Sequence, residues 1–217
     1  MARFAHRLGV VVLGLSLAGC GGGSGAGGEG GAGAMASAGA ESSTPASTRE
    51  REVLAFVREE EKLARDVYGA LLSLDPVFTN IQRSEQTHMD AVLVLLERLA
   101  IPDPAAGAPP GAFQDARLQG LYDELVARGA ASHLAALAVG VEIEELDIHD
   151  IEGMRAATTR TDVLTTLDNL TRGSRNHLRS FHARLTSLGG SYTPRHLDAA
   201  EFEAIVGSEM ETGSPWR

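Results

Sequence analysis

The sequence predicts an all-α domain built as a four-helix bundle, and three observations predict it. Four long segments repeat apolar residues every three or four positions, the spacing of one buried helical face. No alternating strand pattern or hairpin turn interrupts them. Aromatic residues make up only 5% of the chain while Leu and Ala are abundant, as suits interdigitating helices.

Each element follows from local signals. The first helix spans about 48–74 and ends at Asp75-Pro76, because the residue before proline disfavours helical backbone. Its face is Leu54, Val57, Ala64, Tyr68 and Leu71. The second covers about 79–100, stops before Pro102 and presents Ile81, Val92, Leu95, Leu96 and Leu99. A loop rich in Pro, Gly and Ala runs to Gly111, and a short helix at about 114–128 completes a long crossover between the two halves. The third helix, about 131–153, presents Leu134, Leu137, Val141, Ile148 and Ile151. The fourth, about 159–188, presents Val163, Leu167, Leu170, Leu178, Phe181 and Leu185 and stops at Gly189-Gly190. A short C-terminal helix, about 197–206, packs across one end. The folded domain is therefore 49–207, a size able to bury one substantial core, with 208–217 as a disordered tail.

Polar residues of metal-ligating type break all four stripes. Glu61 falls within the first, with Glu60 as the neighbour able to replace it, and Glu85 and His88 fall three residues apart within the second. Glu144 and Glu145, with Glu142 beside them, break the third; periodicity does not choose among them. Ser174 and His177 break the fourth. A buried ionised carboxylate costs several kcal/mol or more unless a cation, a hydrogen-bond network or a proton compensates it. Side chains three apart on a helix start about 5 to 6 Å from one another, so Glu-x-x-His reaches one ion from one helix while a facing helix adds a carboxylate. Oxygen ligands with imidazole and no thiolate suit iron or manganese. Glu59, Glu60 and Lys62 read as a solvated face, and His133, His149, His182 and His196 as surface or cap residues.

In EEEKLARDVY, the residues Glu61, Ala64, Arg65 and Tyr68 resemble the first helix of rubrerythrin-like proteins, and SEQTHM is similar to the Glu-x-x-His of their second. The run from about Arg49 to Gly207, through AFQDARLQGLYDEL, VGVEIEELDIHDI, GSRNHLRSF and YTPRHLDAAEFEAIV, more closely resembles an uncharacterised bacterial and archaeal family of the ferritin-like superfamily. That resemblance implies a ferritin-like bundle and a di-iron or di-manganese carboxylate centre. Its implied ligands are Glu61, Glu85, His88, Glu145 and His177, with Glu142 or Glu144 as a sixth. This chain departs from the pattern at Ser174, where the fourth helix should carry Glu. The departure leaves open a single metal, an asymmetric pair, or replacement from the third helix.

Arg3 and Arg7 precede the apolar run Leu8 to Leu17, too short to span a bilayer stably but suited to a secretory signal, 1–19. It ends in Leu17-Ala18-Gly19-Cys20, which resembles a bacterial lipobox and implies lipidation of Cys20, the chain's single cysteine. Residues 20–48, rich in Gly, Ala and Ser, read as a flexible tether with a reach of about 30 Å. The expectation is an exported lipoprotein, membrane-anchored and facing the periplasm or cell surface. A net charge of −10 shows no basic footprint for nucleic acid.

Three functional readings follow. One is redox chemistry with dioxygen or peroxide, of ferroxidase or peroxidase type; with no rubredoxin-like cysteine module, its electrons come from ferrous ions or an external donor. The second is a non-catalytic metal-binding or sensing lipoprotein, and the third a metal-free helical adaptor. A homodimer is compatible with each.

Overall fold

The structure is a computed structural model that describes residues 44–213. The signal segment, Cys20 and most of the tether lie outside the described residues, as does the end of the tail. Six α-helices and no strand make up the described part: α1 Thr48–Leu71, α2 Val77–Arg98, α3 Ala116–Gly129, α4 His133–Met154, α5 Thr161–Ser187 and α6 Ala199–Val206, with a 3-10 turn at Arg155–Ala157 between α4 and α5. The expected architecture is the observed one, a ferritin-like bundle whose long crossover carries α3 and whose end is closed by α6.

Local chemistry sets the boundaries. Ser47 caps α1 in a reciprocal box: its hydroxyl accepts from the Glu50 amide at 3.1 Å while the Glu50 carboxylate accepts from the Ser47 amide at 2.8 Å. Asp75 accepts from the Val77 amide at the start of α2, and Asp115, Ser132 and Asp198 cap α3, α4 and α6. Gly189, at φ +79°, lets the Gly190 amide turn back to the Leu185 carbonyl and stops α5 as expected.

The bundle pairs α1 with α2 and α4 with α5, and is closed by α1 against α4 and α2 against α5; α3 lies on α1 and α4. Its apolar core has two parts. One holds Tyr68, Phe78, Leu137, Phe181 and Phe202, the other Leu54, Val57, Val92, Leu96, Val163 and Leu167. Along α1, α2 and α5 the polar interruptions fall between these parts, forming a charged layer across the middle of the bundle.

Three expectations need correction. Glu59, Glu60 and Lys62 are buried rather than solvated: the crossover lies over Glu59 and Lys62 on the outer face of α1, while Glu60 is turned towards Asp150 of α4. Glu59 accepts from the amides of Gln114 and Asp115, and the Lys62 ammonium donates to Asp66 and to the Pro109 carbonyl beneath the Phe113 ring. Leu134 is exposed, since it sits in the first turn of α4 beyond the packed layer. Residues 208–213, expected in a disordered tail, are fastened to α5: Glu211 accepts from Arg175 and Arg179, and its backbone pairs with the Asn176 amide.

Candidate metal centre

Glu85 occupies the middle of the charged layer with no exposure to solvent. One of its oxygens is 2.8 Å from His88 Nδ1 and the other 2.7 Å from His177 Nδ1. Each imidazole also meets a carboxylate of its own: His88 Nδ1 is 3.1 Å from Glu61 Oε2, and His177 Nδ1 is 3.4 Å from Glu144 Oε2. The residues thus run Glu61, His88, Glu85, His177, Glu144, with the shared Glu85 between two stacked rings whose centroids are 5.3 Å apart. All four long helices contribute. Ligand atoms of Glu85, His88 and His177 lie within 4.8 Å of one another, close enough to hold one ion.

Neighbours hold these side chains in place from behind. The outer nitrogen of His177, Nε2, is 2.9 Å from the Ser84 hydroxyl, which keeps Nδ1 turned inward. His88 needs the bare backbone of Gly173: a Cβ there would sit 2.4 Å from His88 Nε2. The Tyr68 hydroxyl, fully buried, donates to Glu144 Oε1 at 2.6 Å. Ser174 is buried but donates to the Leu170 carbonyl of its own helix, so α5 adds only His177.

The donor set fits a cation. Glu61 Oε1, both Glu85 oxygens, Glu144 Oε2 and His177 Nδ1 have no partner in hydrogen-bond geometry, although each is buried. Native interiors rarely leave such atoms unsatisfied. Burial and the crowding of like charge push the Glu61 and Glu144 carboxyls up to about 7, an effect reduced by the imidazoles. Burial alone would raise Glu85 as well, yet the flanking His177 and His88 hold it well below the usual carboxylate range. Burial would depress His177, but Glu85 and Glu144 overcome it and push the imidazolium up to about 10. Protonated imidazoles supply positive charge to this layer, and a metal bound there would displace those protons.

Of the three candidate acids on α4, only Glu144 faces the centre. Successive helical residues diverge by about 100°, so Glu145 points the other way. There its carboxylate accepts from the Tyr192 hydroxyl at 2.6 Å and from the amides of Arg195, His196 and Leu197 at 2.7 to 2.8 Å. The expectation of Glu145 as a ligand therefore gives way to Glu144. Glu142 lies nearer the surface, paired with Arg128 and Arg195. Asp147 is the acid that sequence reasoning missed. It is 1% exposed, one Asp147 oxygen lacks a partner, and burial and the charges of Glu61, Glu60, Glu144 and Glu85 push its carboxyl far above the ordinary aspartate range. Its spacing of three from Glu144 was the available signal.

Among the described residues no helix is long and apolar enough to cross a membrane. Residues 50–209 match a family described as "Uncharacterized protein domain (DUF2202)". An uncharacterised protein of Methanocaldococcus jannaschii, MJ0754, is 45% identical over 171 residues, covering 78% of this chain and 92% of the relative. The crystal structure of that hypothetical protein superposes with a TM-score of 0.75, covering 77% of this chain and 97% of the other.

Proposed function

This chain belongs to the uncharacterised DUF2202 domain family, and from that premise we propose that it is a ferritin-like metal protein whose Glu85 centre holds iron, or manganese, for redox chemistry with dioxygen or peroxide. One observation carries the proposal: a fully buried carboxylate lies with both oxygens against imidazole nitrogens from two helices and has no aligned donor. Glu61 beside His88 and Glu144 beside His177 offer one further carboxylate on each side of Glu85, and on that ground a metal pair is the form we favour.

Bound iron or manganese would supply one-electron redox chemistry at the centre. The chain's own residues supply the rest. Glu85, His88 and His177 bind; Glu61 and Glu144 balance charge; Ser84 and Gly173 set the angle of the rings. Tyr68 holds the Glu144 carboxylate through its hydroxyl and carries a proton at the edge of the centre. The apolar layers above and below exclude water. His177, 8% exposed and bonded to the half-buried Ser84, marks the side nearest solvent.

A second reading is non-catalytic metal binding, and Ser174 favours it, because α5 lacks the carboxylate that would bridge from its side. The test is anaerobic loading with ferrous ion, followed by iron content, ferrous oxidation and peroxide consumption. Turnover above free iron, lost in Glu85→Ala and His177→Ala but kept in His196→Ala, is expected. Tight iron without turnover would favour the second reading, and absence of any bound metal would reject both.

The leader motif supports one further part of the proposal, export and anchoring through lipidated Cys20. Fatty-acid labelling of the expressed protein should disappear in Cys20→Ser; labelling that survives would refute it.

A further inference from the structure

The bundle has two seams where its helix pairs meet, α1 against α4 and α2 against α5. α3 lies over the first. No third helix among the described residues packs across the second, and there a groove of about 730 Å³ opens between α2 and α5. Two contacts fix the direction of the seam. Arg98, at the end of α2, is paired with Asp162 at the start of α5, and further along the bundle His88 lies against Gly173. The two helices are therefore antiparallel, and the stretch of α2 that lines the groove, from Thr87 to Arg98, is about 16 Å long.

The wall of the groove is more apolar than its residue names suggest. The hydroxyls of Thr87, Thr165 and Thr166 donate to the carbonyls of Arg83, Thr161 and Asp162, each one turn back in the same helix. With those donors spent, the threonines offer chiefly methyl groups, beside Ala91 and Leu95. Val94 also lines the groove and is 60% exposed, the most exposed large hydrophobic side chain among the described residues. A single exposed valine is ordinary. This one has an open groove beside it and a charge on either side: Asp90 lies four residues before it and Arg98 four after, both exposed.

That spacing is self-complementary. When two copies of α2 meet antiparallel about a two-fold axis at Val94, a residue a given number of positions before Val94 in one copy faces the residue the same number after it in the other. Asp90 of each copy then faces Arg98 of the other, and each Val94 enters the other's groove as a ridge between two helices. A parallel meeting would set like charge against like.

We propose that the α2–α5 seam is the surface through which two copies of this chain associate, by an antiparallel α2–α2 contact centred on Val94. The proposal does not rest on the reading of the metal centre, none of whose residues lines the groove. A net charge of −10 on each copy opposes association and an interface confined to one seam is small, so the dimer is expected to be weak.

Sedimentation velocity of the full chain, from about 1 µM to about 500 µM, measures the association. Every sample carries Cys20→Ser, so that neither lipidation nor a disulfide contributes, and thermal melting checks that each variant folds. The chain with Cys20→Ser alone should show a monomer–dimer equilibrium. Val94→Asp should weaken it about tenfold or more, and so should Asp90→Arg or Arg98→Asp alone, since each reversal sets like charges together twice per dimer. Mixing the two reversals is the decisive sample. Asp90→Arg and Arg98→Asp chains each repel their own kind but meet each other with opposite charges at both contacts, so the mixture should dimerise where its parts do not. Should Arg98→Asp unfold beside Asp162, Val94→Asp and Asp90→Arg still test the seam.

A chain that stays monomeric over the whole range overturns the proposal and leaves the groove to another occupant. Association undiminished by Val94→Asp and Asp90→Arg places the contact elsewhere and overturns it too. A mixture no more associated than its two parts overturns the antiparallel register on which the proposal rests.

Discussion

Glu144 and Glu145 are adjacent, chemically identical and equally inaccessible to solvent, yet they belong to different kinds of site. Glu145 is met by four donors, and in return it holds the segment from Tyr192 to Leu197 against α4. Glu144 is met by a single aligned donor, the Tyr68 hydroxyl, and keeps one oxygen unpartnered beside an imidazole. Burial does not distinguish a ligand from a strut. The number of donors aimed at the carboxylate does, because a strut draws its compensation from the fold and a ligand leaves that compensation to an ion.

The contrast breaks most visibly by mutation in metal-free protein. Glu145→Ala should destabilise by about 3 to 5 kcal/mol in urea unfolding, since three amides and a phenol lose their acceptor inside the protein. Glu144→Gln should leave metal-free stability unchanged or higher, because it removes a buried like charge, and should weaken metal binding instead. A large stability loss from Glu144→Gln, with metal affinity intact, would reverse the assignment of the two residues.

Metal itself sharpens the comparison next. A ligand that binds only the folded state adds about 2.7 kcal/mol at a concentration one hundred times its dissociation constant. Saturating Fe2+ under anaerobic conditions should therefore raise the melting temperature of the native chain. Glu85→Ala should lose most of that rise, and Glu145→Gln should keep it in full if that variant folds. An equal rise in Glu85→Ala would place the bound metal elsewhere.

Gly173→Ala acts on the centre through packing. The new methyl would overlap the His88 ring, so the imidazole must move, at a cost of about 1 to 3 kcal/mol for overpacking. Metal affinity should fall more than stability; an unchanged affinity would mean that the angle of His88 is unimportant.

The smallest effect belongs to the tail. Arg175 and Arg179, outweighing partial burial, hold the Glu211 carboxyl down at about 2. A carboxyl whose folded value lies below its unfolded one stabilises at pH above the unfolded value, and this stability is lost as pH falls from about 4.5 towards 2. Because Glu211 is partly solvated, its share is on the surface-pair scale of about 1 kcal/mol or less. Glu211→Gln should remove that part of the acid dependence while leaving metal binding unaffected. An unchanged acid profile would mean that the clamp contributes nothing.

Much of the fold was legible because helical periodicity and the stop signals act locally. The face of α2 reads directly from Ile81 to Leu96, and Gly189 ends α5 where the sequence says it should. The candidate ligands on α1, α2 and α5 were legible for the same reason: each is a polar residue in an otherwise apolar stripe. On α4 that contrast vanishes. Apolar residues surround the helix almost completely, and Val139, Gly140, Val141 and Ile143 are buried on successive sides. Only the position of Tyr192 and of the backbone after it separates Glu144 from Glu145, and that is a contact across some fifty residues. The burial of Glu59 and Lys62 was hidden likewise, since nothing within α1 announces that the crossover will cover its outer face.

The most direct measurement is the amount of metal retained after anaerobic ferrous loading and removal of loosely held ions by gel filtration, compared between the native chain, Glu85→Ala and Glu145→Gln. The native chain should retain at least one iron per chain and Glu85→Ala essentially none, while any Glu145→Gln protein that folds should retain it. A native chain that retains no metal, or a Glu85→Ala chain that retains as much, would contradict the centre at its core.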